Sequence, residues 1–268
     1  NAAASLDAIA ADSDAGASLE QAAAPEPEAA AAPEPAPAAE PEPEPAPAPE
    51  PAALSAAAQA AIDADMSGTL DAGISRDAAF ALLETYNQDP FHVTHGETLE
   101  GLMRYYAEKY DPANVDFWGV VGLLHDLDWE KFPSVEGHTV KTAELLDEAG
   151  AAPQLAHAIM THNSDNNDKL PAPELKMERV LFACDELSGL IQAAVLMRPS
   201  GSVMDFETKS LKKKFKDKRF AAGCSRDVIR KGAELNDLEL ADLFSSVIEA
   251  MKSIAPDRDT FVADASAE

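Results

Sequence analysis

From Ser75 onward, apolar residues recur every three or four positions, and polar or Pro/Gly-containing breaks separate the runs. That period belongs to helices with one buried face. Ser75 suits an N-cap, with Asp77 in the first turn and Ala78, Phe80, Leu82 and Leu83 as the apolar positions of a helix ending near Asn87. Pro90 breaks the chain there, because the residue before a proline avoids helix. A second helix is expected from about Val93 to Tyr110, carrying His95 near its start and Leu99, Leu102, Met103 and Tyr106 as its core stripe. The run Val120-Val121-Gly122-Leu123-Leu124 predicts a buried helix that ends in His125-Asp126. Further helices are expected from Gly137-His138 with Val140, Ala143, Leu145 and Leu146 inside, from Pro153 to His162, and from Glu174 to Leu196. Two amphipathic helices within Asp227 to Ala250 would bury Leu235, Leu238, Leu240, Leu243, Phe244 and Ile248. Period-two alternation of β-branched residues is absent, so the pattern predicts an all-α bundle large enough for one core.

Composition changes the picture at both ends. Residues 1–52 are mostly Ala, Pro, Glu and Asp, and 11 of the chain's 19 prolines fall between Pro25 and Pro51. Proline removes donors and like charges repel, which predicts an extended, disordered tail. The expected organisation is an acidic tail and linker over 1–74, a helical domain over 75–255 and a flexible C-terminal tail over 256–268. The tail reads as a solvated spacer, with docking to a protein partner as the alternative. Asp63, Asp65, Ser67, Gly68, Leu70 and Asp71 are spaced like a calcium loop, but Ile74 stands where the bidentate Glu belongs, so an acidic linker is the better reading.

The formal net charge of the chain is −27, and residues 76–268 alone hold 34 acids against 21 bases. Generic nucleic-acid or anionic-membrane binding is disfavoured by that balance, whereas a small anionic substrate is compatible with a local cation. Cys184 and Cys224 stand apart, giving neither a disulfide framework nor a thiolate metal site, and a reducing, cytoplasmic compartment fits. No run of about 18 apolar residues is present.

The candidate chemistry is carried by His and Asp. His125-Asp126 places an imidazole and a carboxylate at the edge of a core, and polar groups there need a partner. His95, His138, His162 and Asp185 are distant residues of suitable type, and a set of imidazoles and carboxylates suits Mn, Fe, Co, Ni or Zn. Each also has a plainer reading. Asp185 can pair with an arginine, His138 can open a helix and His162 can sit at a helix C-terminus. His92 and His157 fit structural or surface roles, His92 being close enough to His95 to support it.

The order His95, His125-Asp126, His138, His162, Asp185 resembles the HD superfamily of metal-dependent phosphohydrolases, over roughly Ser75 to Met251. Arg198 to Glu234, beginning RPSGSV, resembles one bacterial branch of HD-domain hydrolases. The resemblance implies an HD domain over 75–255 in which His95, His125, Asp126 and Asp185 bind one metal ion. It also implies a second ion held by His138 and His162 with Asp126 as the bridge, and hydrolysis of a small phosphoester or nucleotide by metal-activated water. Asp128 departs from many relatives; it is a candidate general acid/base, beside the catalytic Asp126, or an orienter of a ligating His. The basic run Lys212, Lys213, Lys214, Lys216, Lys218, Arg219 is either a solvated helix face or a phosphate-binding rim, in which Lys213, Lys216 and Arg198 would contact substrate. Two further readings stand beside the hydrolase: a di-iron oxygenase using the same ligands, and a non-catalytic metal-stabilised binding or scaffold module.

Overall fold

The structure, a computed structural model, describes residues 54–255; the tails expected over 1–53 and 256–268 lie outside the described residues. Those residues are all-α, with ten α-helices and a short 3-10 helix and, among the described residues, no strand. In order the helices are α1 (Ala56–Ile62), α2 (Arg76–Tyr86), α3 (Pro90–Tyr110), α4 (Val115–Leu124), α5 (Val140–Glu148), α6 (Pro153–Met160), α7 (Lys176–Leu196), α8 (Thr208–Lys216), α9 (Arg226–Leu235) and α10 (Leu240–Ile254). The 3-10 helix, Thr161–Asn163, follows α6. No helix among the described residues is long and apolar enough to cross a membrane.

The centre of the bundle is the pair α3–α4, with α7 packed against α3. Two glycines set how close α3 and α4 come. A Cβ on Gly122 would lie 2.4 Å from the Leu99 carbonyl oxygen, and one on Gly96 would lie 2.8 Å from that of Leu123. Both approaches are forbidden to any residue with a side chain. Because Gly96 follows His95 and Gly122 precedes His125 by three residues, the contact that needs the glycines also brings the two histidines together. Leu99, Leu102, Met103, Val121, Leu123, Leu124, Leu187, Ile191 and Val195 fill the core around that contact.

Several expectations need correction. α3 begins at Pro90, three residues before the expected Val93, because Asp89 caps it and proline is well suited to the first helical position. His138 lies in a turn before α5 rather than in its helix, and Thr139 there has φ of 67°. Leu238 is 39% exposed, not buried, since it sits in the α9–α10 connection. The linker expected to be disordered through residue 74 is ordered from Leu54. Ser55 caps α1, whose Ala58 and Ala61 are fully buried against α5 and α6. The following strap is pinned by Asn114, which accepts from the Leu70 amide at 2.7 Å, and by the Ala152 amide on the Ala72 carbonyl at 2.9 Å. The acids of the calcium-loop pattern are spent on local turns, Asp65 accepting from the Ser67 amide and Asp71 from that of Gly73.

Candidate metal centre

Five elements deliver six side chains to one place. α3 supplies His95, the end of α4 supplies His125 and Asp126, the turn before α5 supplies His138, the 3-10 helix supplies His162, and α7 supplies Asp185. They form two groups. His95, His125, Asp126 and Asp185 each offer an atom to the first, and Asp126, His138 and His162 to the second. In the first, His125 Nε2 lies 3.2 Å from His95 Nε2, 3.3 Å from Asp126 Oδ2 and 3.4 Å from Asp185 Oδ1. His95 Nε2 is 3.2 Å from Asp185 Oδ1. In the second, His138 Nε2 is 3.1 Å from His162 Nε2 and 3.2 Å from Asp126 Oδ1. Asp126 thus gives Oδ2 to one group and Oδ1 to the other.

The outer hydrogen bonds decide what these nitrogens present. His125 Nδ1 meets the Gly122 carbonyl at 2.8 Å and His162 Nδ1 the Ile159 carbonyl at 2.6 Å. A carbonyl only accepts, so in both rings Nδ1 carries the proton and, in the neutral ring, Nε2 turns a lone pair inward. His138 Nδ1 donates to Asp128 Oδ1 at 2.7 Å with the same result. With the rings neutral, the inner nitrogens of His125, His138 and His162 are acceptors that face other acceptors at little more than 3 Å. One proton can bridge one pair of nitrogens; a cation satisfies a whole group at once.

Charge points the same way. Burial works against charge on His125, but the Asp126 and Asp185 carboxylates outweigh it and raise its pKa well above the ordinary imidazole value. Burial would raise the Asp126 and Asp185 carboxyls, yet the imidazoles around them hold both below the usual carboxylate range. Burial would likewise lower His138, and Asp126 and Asp128 lift it to about 9. The two inner carboxylates draw positive charge into the site, and a set of imidazole nitrogens and carboxylate oxygens fits a divalent transition ion.

The structure places the remaining candidates elsewhere. Asp128 is fully buried, and besides His138 it accepts from the amides of Thr139 at 2.9 Å and Thr142 at 3.3 Å, so of its two expected roles the geometry is that of an orienter. Arg198 is paired with Asp205 at 2.6 Å, beyond the end of α7. Leu196, the last residue of α7, is 11 residues past Asp185, about 16 Å along the helix axis. Lys213 and Lys216 are exposed on α8, and no hydrogen bond or ion pair joins them or Arg198 to the cluster among the described residues. His157 lies away from the cluster, between the Ala61 carbonyl at 3.1 Å and Glu178 at 3.3 Å.

Some neighbours escaped the sequence. Glu186 follows Asp185, accepts from the Ser225 amide at 3.1 Å, and is pushed to about 7 by burial and by the Asp185 charge. Lys231 on α9 bonds Asp165, three residues past His162, and its ammonium lies 5.5 Å from the ring of Phe182, three residues before Asp185. Asn163 donates to the His138 and Val135 carbonyls, both at 3.0 Å, and so fixes the turn that carries His138. None of these has a motif of its own, since each depends on which helix packs beside it. At the mouth of the site the Asp126 and Asp185 side chains keep 25% and 21% of their surface, while His125 keeps none.

Comparison with known proteins agrees with this geometry. Residues 93–190 match the family model described as HD domain. Ribonuclease Y of Geobacter metallireducens is 41% identical over 69 residues, and Ribonuclease Y of Geotalea uraniireducens 44% over the same length. Each alignment covers 25% of this chain and 12% of the relative, so the match spans about an eighth of those proteins. No solved structure matches the chain. All six residues of the two ligand groups fall inside residues 93–190, the segment that matches the HD domain model.

Proposed function

We propose that this HD domain is a metal-dependent phosphohydrolase that cleaves a phosphoester bond of a small phosphorylated substrate or nucleotide, with water as the nucleophile. The observation that carries the reading is Asp126, whose two oxygens face two separate ligand groups. His95, His125, Asp126 and Asp185 would hold one divalent ion, and Asp126, His138 and His162 a second. Such ions supply positive charge that stabilises anionic phosphoryl oxygens and makes water a stronger nucleophile near neutral pH.

The residues of the chain do the rest. His125, His138 and His162 keep Nε2 inward because each Nδ1–H is committed to an outer acceptor. Leu123, Leu124 and Leu127, which flank His125-Asp126 in the chain, are fully buried, so those two side chains stand at the edge of an apolar core where charges are felt strongly. Asp126 and Asp185 form the open side, where a phosphoryl group would approach. Lys231, bonded to Asp165 three residues past His162, would supply a cation for substrate phosphate.

The test is phosphate release from a panel of phosphomonoesters, nucleotides and a short oligoribonucleotide, the last because the matched relatives are named ribonucleases. Wild-type protein should turn over at least one class, and Asp126→Ala should lower the rate by a factor of about 1,000 or more, as loss of a bridging ligand removes charge from both groups. Two bound irons with oxygen consumption and no phosphate release would replace this reading with the oxygenase. Equal rates for wild type and Asp126→Ala would remove the site from the chemistry.

A further inference from the structure

Three of the four imidazoles at the centre are locked by an Nδ1–H bond, His125 to Gly122, His138 to Asp128 and His162 to Ile159. His95 is the exception. Its Nδ1 is buried and meets no hydrogen-bond partner among the described residues, and the residue as a whole is 8% exposed. A ring without that bond can pivot, and a pivot carries Nε2 away from Asp185 and His125.

What lies against His95 instead is the ring of Phe91, four residues earlier in α3. The two rings are within 1° of parallel with centroids 6.2 Å apart, an offset stack between neighbours on one helix face. Phe91 is 49% exposed, so core packing does not account for a large apolar ring at this position. We infer that Phe91 is a positioning residue for His95, holding the imidazole plane by stacking where the other three ligands use a hydrogen bond.

Phe91 is itself well fixed. Its amide donates to Asp89 Oδ1 at 2.9 Å, and its ring meets that of His92 edge-on at 5.6 Å. His92 Nδ1 and the amides of Gln88 and Asp89 all reach Glu130 Oε2, at 3.0, 2.8 and 3.0 Å. The loop after His125-Asp126 thereby anchors the first turn of α3, that turn sets Phe91, and Phe91 sets His95. One ligand of the first group is oriented from the loop that begins at two of the others.

This inference rests on the metal-binding reading, and its test separates the two. Full-length protein stripped of metal is titrated with Co²⁺, reading affinity by calorimetry and ligand geometry by visible absorption, for wild type, Phe91→Ala, Phe91→Leu, Phe91→Tyr and His95→Ala. Phe91→Ala and Phe91→Leu should weaken Co²⁺ binding by about tenfold or more, as loss of an outer partner does at other metal sites, while Phe91→Tyr keeps the wild-type affinity. The unfolding midpoint of the metal-free protein should be the same for all three Phe91 variants. Wild-type affinity in Phe91→Ala and Phe91→Leu, alongside weakened binding in His95→Ala, would overturn the role of Phe91 and leave the metal site standing. A fall in the metal-free midpoint that matches the fall in affinity would reduce Phe91 to a packing residue. Absence of Co²⁺ binding in wild type would overturn both readings.

Discussion

Asp128 accepts from His138 Nδ1 and from the amides of Thr139 and Thr142 while having no solvent contact. Its carboxylate is therefore an acceptor on every side, and Asp128→Asn tests that. Whichever way the amide is turned, its NH₂ faces either the His138 ring or the backbone amides. If it faces the ring, the proton shifts to Nε2 and closes the lone pair that points at Asp126. Asp128→Asn should lower metal affinity of the second group by about 10- to 100-fold and cost about 1–3 kcal/mol of stability, measured by metal titration and by denaturant unfolding. Unchanged metal binding would show that Asp128 does not orient His138. The same aspartate accounts for Thr139, a β-branched residue at φ 67°, whose costly backbone conformation points its amide at Asp128 Oδ2.

At the scale of elements, His125-Asp126 and Asp185 were legible in the sequence because they end or interrupt an apolar run, whereas His95, His138 and His162 stood out through the resemblance to the HD superfamily. Asp185 inside LFACDELSGLI is the clearest instance. α1 was not legible. Its sequence AAAQAAI has no contrast between faces, so no periodicity marks which alanines are buried. The basic run on α8 was visible, but a row of lysines does not say which helix lies beside the site, so the solvated-face and substrate-rim readings stood side by side; Lys231 on α9, a lone residue bonded to Asp165, carries no such pattern. Glu130 gathering three donors from the start of α3 depends on chain crossings that no local pattern records.

α1 also brings a pH dependence. His157 bonds the Ala61 carbonyl of α1 through Nδ1, and its Nε2 lies 3.3 Å from Glu178 Oε1, an ion pair that forms only when the ring is protonated. Burial alone would lower its pKa, but Glu178 and the α1 carbonyls raise it above the ordinary imidazole value. A pKa raised in the folded state gives stability that is complete below the unfolded value of about 6.5 and is lost as pH rises through the folded one. The melting temperature of His157→Gln should therefore fall short of wild type at pH 5 to 6, with the gap narrowing at higher pH. A gap that widens with rising pH would contradict the protonated bridge.

For the whole molecule, the sign of the charge matters. Residues 76–268 hold 34 acids and 21 bases, yet the centre of the fold gathers two carboxylates and four imidazoles into acceptor-lined groups. Such an acidic body gains from binding cations, and a divalent ion between α3, α4 and α7 would tie together the elements that make most of the core. Removing the ions should lower the unfolding midpoint of wild type and leave that of Asp126→Ala unmoved. The most direct measurement is metal content per chain, by elemental analysis of full-length protein equilibrated with Mn²⁺, Co²⁺ or Zn²⁺ and freed of excess. Wild type should retain up to two ions, His162→Ala one ion fewer and Asp126→Ala none. Retention by Asp126→Ala of as many ions as wild type, or no retention by wild type, would contradict two ion sites built around one shared aspartate.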